Sequence, residues 1–387
     1  MTEATPRQTA LPAVVVGGGL AGAAFALELA RSGRRVLVLE RSRGPHHTVC
    51  GEFLSEEAQV VLGALGLEPR ALGASTITRF RLVKGERQAT TCLPFAAAGL
   101  SRFRLDEALL GAAARAGAEV VRGALVTGIE LGDGAVAVRT EGRAWPASAV
   151  ALATGKHPLR GFARPASPMV GFKLHLEPTG AATRELAGLV QLVFFRGGYV
   201  GACLVEDGIL SVAWVMQDHL VRAVGSDWPA QCAHLSRQSS LIGDLLAGAR
   251  PLFARPAATA AIPYGFLRTQ PIAPEVFPVG DQLAVVPSFT GDGMAIALYS
   301  GLAAAQAMLA GQPAAAYQCE LIRRLRPQFR LAGSIGRVLE TPATCGIGVA
   351  AARLLPPLVT GLVSATRLRG FGDIAASLGV QRSIAMK

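Results

Sequence analysis

Three glycines, Gly17, Gly19 and Gly22, stand in the order G-x-G-x-x-G. They lie between an apolar run at 13–16 and a small-residue stretch that begins with Leu20 and Ala21. Gly17 permits a tight turn, Gly19 lets the backbone approach a pyrophosphate, and Gly22 lets helix and strand pack closely. The helix that follows offers free N–H groups and the positive end of its dipole to phosphates. Glu40 closes the next apolar run, 18 residues after Gly22. A carboxylate there accepts hydrogen bonds from a ribose. Together these residues predict dinucleotide binding. Arg41 would suit a 2′-phosphate, but Glu40 beside it repels one, so FAD or NAD is favoured over NADP. A second segment separates those two. An apolar run ends at Gly280-Asp281, whose carboxylate can bind a polyol chain. A turn from Pro287 through Gly291 to Gly293 and Met294 then opens a long small-residue helix. Such a helix start stabilises negative charge on a flavin edge. An NAD enzyme has no need of this segment, so FAD is the expected cofactor.

Fewer residues offer reaction chemistry. Cys50 and His47 sit on the loop from Gly44 to Gly51. The thiol could position a substrate or tune the flavin ring, and the imidazole could give a proton; inert packing and a solvated loop are the plainer readings. Lys156 and His157 follow the Thr154-Gly155 turn, in reach of phosphates or of solvent. Histidines 175, 219 and 234 show no metal-ligand spacing, and no metal is expected.

The elements that must place these groups are legible in outline. Residues 13–16 and 35–39 read as buried strands around a helix at 20–32, closed by Gly33. A helix is predicted near 55–64, alternating strands over 77–93, a helix ending at Gly117, and a buried strand over 150–153. From 166 the character changes. "VGFKLHLE" alternates Val170, Phe172, Leu174 and Leu176 with Gly171, Lys173, His175 and Glu177, which predicts a strand with one wet face. Asp207-Gly208 marks a hairpin. Residues 226–249 read as helical, as does most of 320–387, broken at Pro342 and Pro356-Pro357. The fold class is α/β: a Rossmann-like FAD-binding domain, an interleaved antiparallel β-sheet substrate domain, and a helical C-terminus. Residues 1–75, 100–165 and 269–330 are assigned to the first, 76–99 and 166–268 to the second, and 331–387 to the third.

Bulk properties narrow the partners. The chain has 387 residues, 51% of them hydrophobic and only 17% charged, so it can bury a large core and keep apolar surface for a greasy substrate. The net charge is +11, but the arginines are dispersed, without the pattern of a nucleic-acid binder. Six cysteines with no C-x-x-C pair read as reduced thiols of a cytoplasmic protein. The segment from Arg353 to Gly370 mixes apolar residues with Arg353, Arg367 and Arg369. It is expected to touch membrane surfaces or to close over an apolar pocket.

Residues 12–330 resemble the FAD-dependent oxidoreductases that include geranylgeranyl reductases, flavin halogenases and para-hydroxybenzoate-hydroxylase-like monooxygenases. Gly17, Gly19, Gly22 and Glu40 match the family's N-terminal fingerprint, and Gly280-Asp281 matches its Gly-Asp motif, which contacts the ribityl chain. "PSFTGDGMAIALYSGLAA" is most similar to the reductase version. "VCGEFLS" is similar to that branch's Cys-Gly-Gly stretch, with Glu52 in place of the second glycine. "SRFRLDEALLGAAARAGAEV" matches another family segment and implies that Arg102 is a flavin-side arginine. Departures are plain too. The monooxygenases' Asp-Gly pair is Thr154-Gly155 here, which puts direct pyridine-nucleotide binding in doubt. The reductases' aromatic motif is missing, although Tyr199 remains at the comparable place.

The cofactor-binding candidates are therefore Gly17, Gly19, Leu20, Ala21, Gly22, Glu40, Arg41, Arg102, Val126, Thr154, Gly155, Gly280, Asp281, Pro287, Gly291, Gly293 and Met294. The catalytic candidates are Cys50, His47 and Tyr199. The first expectation is a monooxygenase that hydroxylates or epoxidises a hydrophobic small molecule (polyketide, aromatic or isoprenoid). NADH or NADPH is the donor class, used directly or through a separate reductase. The alternatives are hydride transfer to a carbon–carbon double bond, as the reductase resemblance implies, and a flavin- or lipid-binding module without turnover.

Overall fold

The computed structural model describes residues 11–132, 135–340, 361 and 363–367. Strand β1 (Ala13–Val16), helix α1 (Leu20–Arg31) and strand β2 (Val36–Glu40) form the opening βαβ unit. Strand β3 (Phe53–Leu54) and helix α2 (Glu56–Ala64) lead into the hairpin of β4 (Ser75–Lys84) and β5 (Arg87–Gly99). Helix α3 (Arg102–Arg115) and β6 (Glu119–Arg122) follow. Next come the meander β7 (Val126–Gly132), β8 (Ala135–Thr140) and β9 (Arg143–Ala147), and then β10 (Ala149–Leu152). The next segment holds β11 (Met169–Glu177), α4 (Gly180–Leu186), β12 (Leu189–Phe195), β13 (Gly198–Leu204) and β14 (Leu210–Gln217). Helices α5 (Asp218–Val224), α6 (Trp228–Ser236) and α7 (Ser240–Leu246) complete it. Short strands β15 (Arg250–Pro251), β16 (Ala257–Thr259) and β17 (Phe266–Leu267) precede β18 (Val276–Pro278) and β19 (Ala284–Val285). The helices α8 (Gly293–Leu309) and α9 (Ala314–Glu340) come last.

The fold is α/β. Its parallel sheet runs β18-β10-β1-β2-β6, and its central strands are buried on both faces. Val15, Val38 and Ala151 meet α1, α3 and α8. Their neighbours Val14, Val16, Leu37, Leu39, Val150 and Leu152 pack against the β7-β8-β9 meander. The Rossmann-like sheet thus carries helices on one face and a small sheet on the other. Continuous apolar strands suit this double burial.

The second sheet has nine strands, and its main path is β15-β11-β14-β13-β12-β4-β5-β3. The antiparallel expectation holds for its hairpins, but β4 and β12 pair parallel. They come from separate stretches of chain, with α3 to β10 between them, so no tight turn dictates their direction. Along β12 the odd residues Leu189, Val193 and Phe195 join the core built with α4, α6 and α7. Val190, Leu192 and Phe194 face the opposite way and line a cavity.

Two smaller expectations change. The helical stretch 226–249 is two helices, because Ser239 stops the run and its hydroxyl caps α7 by accepting from the Leu241 amide. Strand β11 has no wet face at its centre. Lys173 and His175 are buried there with a carboxylate partner from 121 and 123 residues away in sequence. In the tail, α9 runs through residue 330 with Pro327 inside it. Pro342, Arg353, Pro356, Pro357 and Arg369 lie outside the described residues.

Candidate functional site

The β1–α1 turn is built as its spacing predicts. Gly17 adopts φ +107°, and a Cβ there would lie 2.5 Å from the Ala153 carbonyl oxygen. A Cβ on Gly22 would lie 2.0 Å from the carbonyl oxygen of Gly17. Neither position admits a side chain. Gly19 is the N-cap of α1 and, having no side chain, gives its helix no side-chain cap. Glu40 is buried at the end of β2. Its Oε2 accepts from the Gly18 amide at 2.7 Å and its Oε1 from the Ser42 amide at 2.7 Å. Each carboxylate oxygen has a further lone pair for a ribose hydroxyl. Arg41 turns away from the turn, its Nη2 2.6 Å from His157 Nε2.

A cavity of about 600 Å³ starts at this turn. Gly19, Leu20, Ala21, Arg102, Gly155, Gly280, Asp281, Gly291, Gly293 and Met294 line it. Arg102 is held by Asp106 through its Nε at 2.6 Å and its Nη2 at 2.7 Å. Burial alone would push the guanidinium down, but the Asp106 carboxylate reverses this and holds its pKa above the ordinary value. Lys156 places Nζ 3.3 Å from Asp281 Oδ2, and Arg164 clasps the backbone carbonyls of Asp281 and Lys156, each at 2.7 Å. The Thr154 hydroxyl is used within the fold. It donates to the His157 carbonyl at 2.8 Å and accepts from Gln282 Nε2 at 2.7 Å.

Other candidates stand off the cavity. Among the described residues, Gly17, Gly22 and Glu40 shape the turn behind its wall, while Thr154 and Pro287 brace the neighbouring turns. Val126 does not line the cavity; it packs on the meander side of the parallel sheet, two residues after Ala124, whose amide donates to the Glu40 carbonyl at 3.0 Å. Sequence spacing could not show this, because β7 is reached only after the chain leaves the βαβ unit.

At the start of α8, the N-cap Asp292 also makes no side-chain cap. Its carboxylate accepts instead from Gln328 Nε2 at 2.8 Å and from Arg367 Nη1 at 2.6 Å. Burial pushes the Asp292 carboxyl up to about 7. Arg367 also donates to the Thr290 carbonyl at 2.9 Å and lies over the Phe95 ring. This arginine, for which the sequence left open a membrane surface or an apolar pocket, lines the cavity with Val363 and Thr366.

Cys50 and Gly51 line the cavity on a turn braced by a cluster that sequence reasoning missed. Glu52 has φ +57°, the left-handed region that favours glycine. Its carboxylate is fully buried and accepts from Lys173 Nζ, from His175 Nε2 at 2.6 Å, from the Ser211 hydroxyl at 2.7 Å and from the Arg102 amide at 2.8 Å. Burial would raise its pKa, but the His175 hydrogen bond and the Lys173 charge outweigh this and bring it down to about 2. His47 lies behind this cluster, stacked between Phe103 and Phe253 and edge-on to His175. It does not line the cavity. Burial, Lys173 and His175 lower its pKa to about 4, so it is neutral at pH 7, and its Nδ1 lies 3.5 Å from Lys173 Nζ, which in turn pairs with Glu52. The surrounding aromatics, drawn from residues 103 and 253, were invisible in its own loop. A usable signal did exist. Lysine occurs at four positions only, and one of them alternates with a histidine inside an otherwise apolar strand.

The far wall of the cavity is apolar. Phe80, Leu82, Leu93, Val190, Leu192 and Phe194 come from the nine-stranded sheet, and Ile335 and Val338 from α9. Tyr199 stands on this wall, and its hydroxyl hydrogen-bonds Ser288 Oγ. Two groups of residues thus meet in one cavity. One is a backbone cradle with two helix starts lacking side-chain caps, cations at Arg102 and Lys156, and the Asp281 carboxylate, with the Glu40 carboxylate bracing the turn behind it. The other is a greasy wall. The first fits FAD: no side chain obstructs the phosphate turn, and the carboxylates suit ribose and ribityl hydroxyls.

Comparison with known proteins agrees. Residues 10–145 match the family described as FAD binding domain. The chain is 35% identical to Squalene monooxygenase 1,2 of Brassica napus over 83 residues, which is 21% of this chain and 16% of that protein. Protein FixC of Salmonella typhimurium is 26% identical over 340 residues, covering 77% of this chain and 76% of FixC. Halogenase PltM, solved with phloroglucinol and FAD, superposes with TM-score 0.70 at 16% identity, covering 94% of this chain and 85% of that one. The chain thus spans about a sixth of the squalene monooxygenase it matches. It carries a FAD binding domain within the fold of a flavin halogenase. Among the described residues, no helix is long and apolar enough to cross a membrane.

Proposed function

We propose that the protein is a FAD-dependent monooxygenase that hydroxylates or epoxidises a hydrophobic small molecule. One observation carries this reading: the cradle for the cofactor and the apolar wall belong to a single cavity. Bound FAD supplies two-electron redox chemistry, and Gly17 to Gly22, Glu40, Arg102, Asp281 and the α8 start would hold it. The chain's own contribution is position and dryness. Phe80, Leu82, Val190, Leu192 and Phe194 exclude water and press an apolar substrate toward the cradle. Cys50 and Tyr199 are the side chains of the cavity assigned to contact the reacting partners; His47 is not. The name of the squalene monooxygenase relative supports an oxygen-inserting reaction. Electrons come from NADH or NADPH, directly or through a separate reductase.

A second reading is hydride transfer to a carbon–carbon double bond. The Cys50-Gly51 turn, which is similar to the reductases' Cys-Gly-Gly stretch and lines the cavity, favours it. One experiment separates the two. The purified protein should be yellow with non-covalent FAD. Photoreduced and mixed with labelled oxygen and a panel of aromatic and polyprenyl compounds, it should place label in the product. Product formed under strict anaerobiosis, two hydrogens heavier and without label, would establish the reductase instead. A colourless protein that cannot be loaded with FAD sinks both.

A further inference from the structure

Three hydroxyls meet on the cavity wall beside the start of α8. Tyr199 comes from β13, Tyr264 from the loop before β17, and Ser288 from the turn before Gly291. Ser288 Oγ hydrogen-bonds the Tyr199 hydroxyl and lies 2.6 Å from that of Tyr264. All three residues line the cavity. The three oxygens carry three protons, and two hydrogen bonds engage two of them. The third can turn between the neighbouring phenol and an acceptor in the cavity. Burial raises the pKa of both phenols, so they stay protonated donors at physiological pH. Flat rings frame the group. Phe194 lies 5.3 Å from Tyr199 between centroids, and Phe289 stands edge-on to both at 6.0 and 6.3 Å. Such walls accept a planar partner by stacking or edge contact. An O–H donor in an otherwise apolar wall discriminates for an acceptor, because a ligand without one covers the donor and leaves it unpaired.

We infer that Tyr199, Tyr264 and Ser288 form a hydroxyl clasp for a hydrogen-bond-accepting oxygen on a flat, apolar substrate. The inference rests on the reading of the cavity as a substrate pocket and names the class of molecule it takes: a conjugated or aromatic compound bearing a carbonyl or phenol-type oxygen. The clasp fixes which edge of that molecule faces the α8 start.

A matched pair of probes tests it on the FAD-loaded protein. Fluorenone and fluorene share one flat ring system, and only the first carries an oxygen. Their affinities are read from flavin absorbance changes, as the ratio of the two. Tyr199→Phe, Tyr264→Phe and Ser288→Ala are compared with the wild type, each first checked for full FAD content. The ratio should fall by about two- to tenfold in Tyr199→Phe, the loss of one neutral hydrogen bond, while fluorene affinity is held. A ratio unchanged in all three variants overturns the clasp and leaves the pocket standing. Wild-type protein that binds neither probe overturns the pocket itself, and the clasp with it.

Discussion

Two buried glutamates brace two turns beside the cavity. Glu40 accepts backbone amides from residues 18 and 42, so its partners lie in the same βαβ unit. Glu52 accepts from residues 102, 173, 175 and 211, so its partners come from α3 and two strands of the other sheet. The first shapes a turn whose rules are local. The second is a charge that survives burial only because distant chain segments bring it donors. Two turns beside one pocket therefore respond differently to substitution.

The largest effect should come from Glu52. Glu52→Ala leaves Lys173 as an unpaired buried charge, a loss of about 3–5 kcal/mol, read by chemical denaturation. The double variant Glu52→Gly with Lys173→Met should regain much of it, because glycine accepts the φ of +57° and no charge remains. A double variant as unstable as the single would break the contrast between the two glutamates.

Gly22→Ala tests the other turn. Its Cβ would meet the Gly17 carbonyl oxygen, so the turn must open, at about 3 kcal/mol. The purified variant should come off the column colourless. Retained yellow colour would show that the cradle yields more than its contacts suggest.

Asp281→Ala should do less. It removes the acceptor proposed for the ribityl chain and the partner of Lys156, and should weaken FAD retention by roughly 1–3 kcal/mol. Titration of apoprotein with FAD measures this, and unchanged affinity removes Asp281 from the site.

A further effect is read along pH and sharpens the comparison through a third carboxylate. Glu52, held near 2 against an ordinary 4.5, gives stability that is present above 4.5 and lost as pH falls toward 2. Asp292, raised from 3.8 to about 7, has the opposite sign. Its folded form prefers the proton, so its contribution fades as pH rises from about 4 to 7. In Asp292→Asn this slope should vanish, so the variant gains on the wild type across that interval in Tm measured against pH. Parallel curves would show that Asp292 does not titrate there.

The sequence by itself determined the glycine turns from which the proposed cofactor cradle is built. Gly17, Gly19, Gly22 and Glu40, and later Gly280, Asp281 and Gly293, mark those turns by their spacing. A tight turn, a helix start and the end of a strand are fixed by sterics among residues close in the chain. Strand alternation likewise disclosed that a second sheet existed, though not that β4 and β12 run parallel. The tertiary structure alone decided the rest. It buried Lys173 and His175, which alternation marks as wet, because only the fold brings Glu52 to them. It set His47 behind that cluster rather than in the pocket, drew Arg367 in to Asp292, and gathered Tyr199, Tyr264 and Ser288 from three separate segments. The physical reason is range. Backbone sterics act over a few residues and leave a readable spacing, whereas desolvation and pairing of polar groups depend on which distant segments share a dry interior.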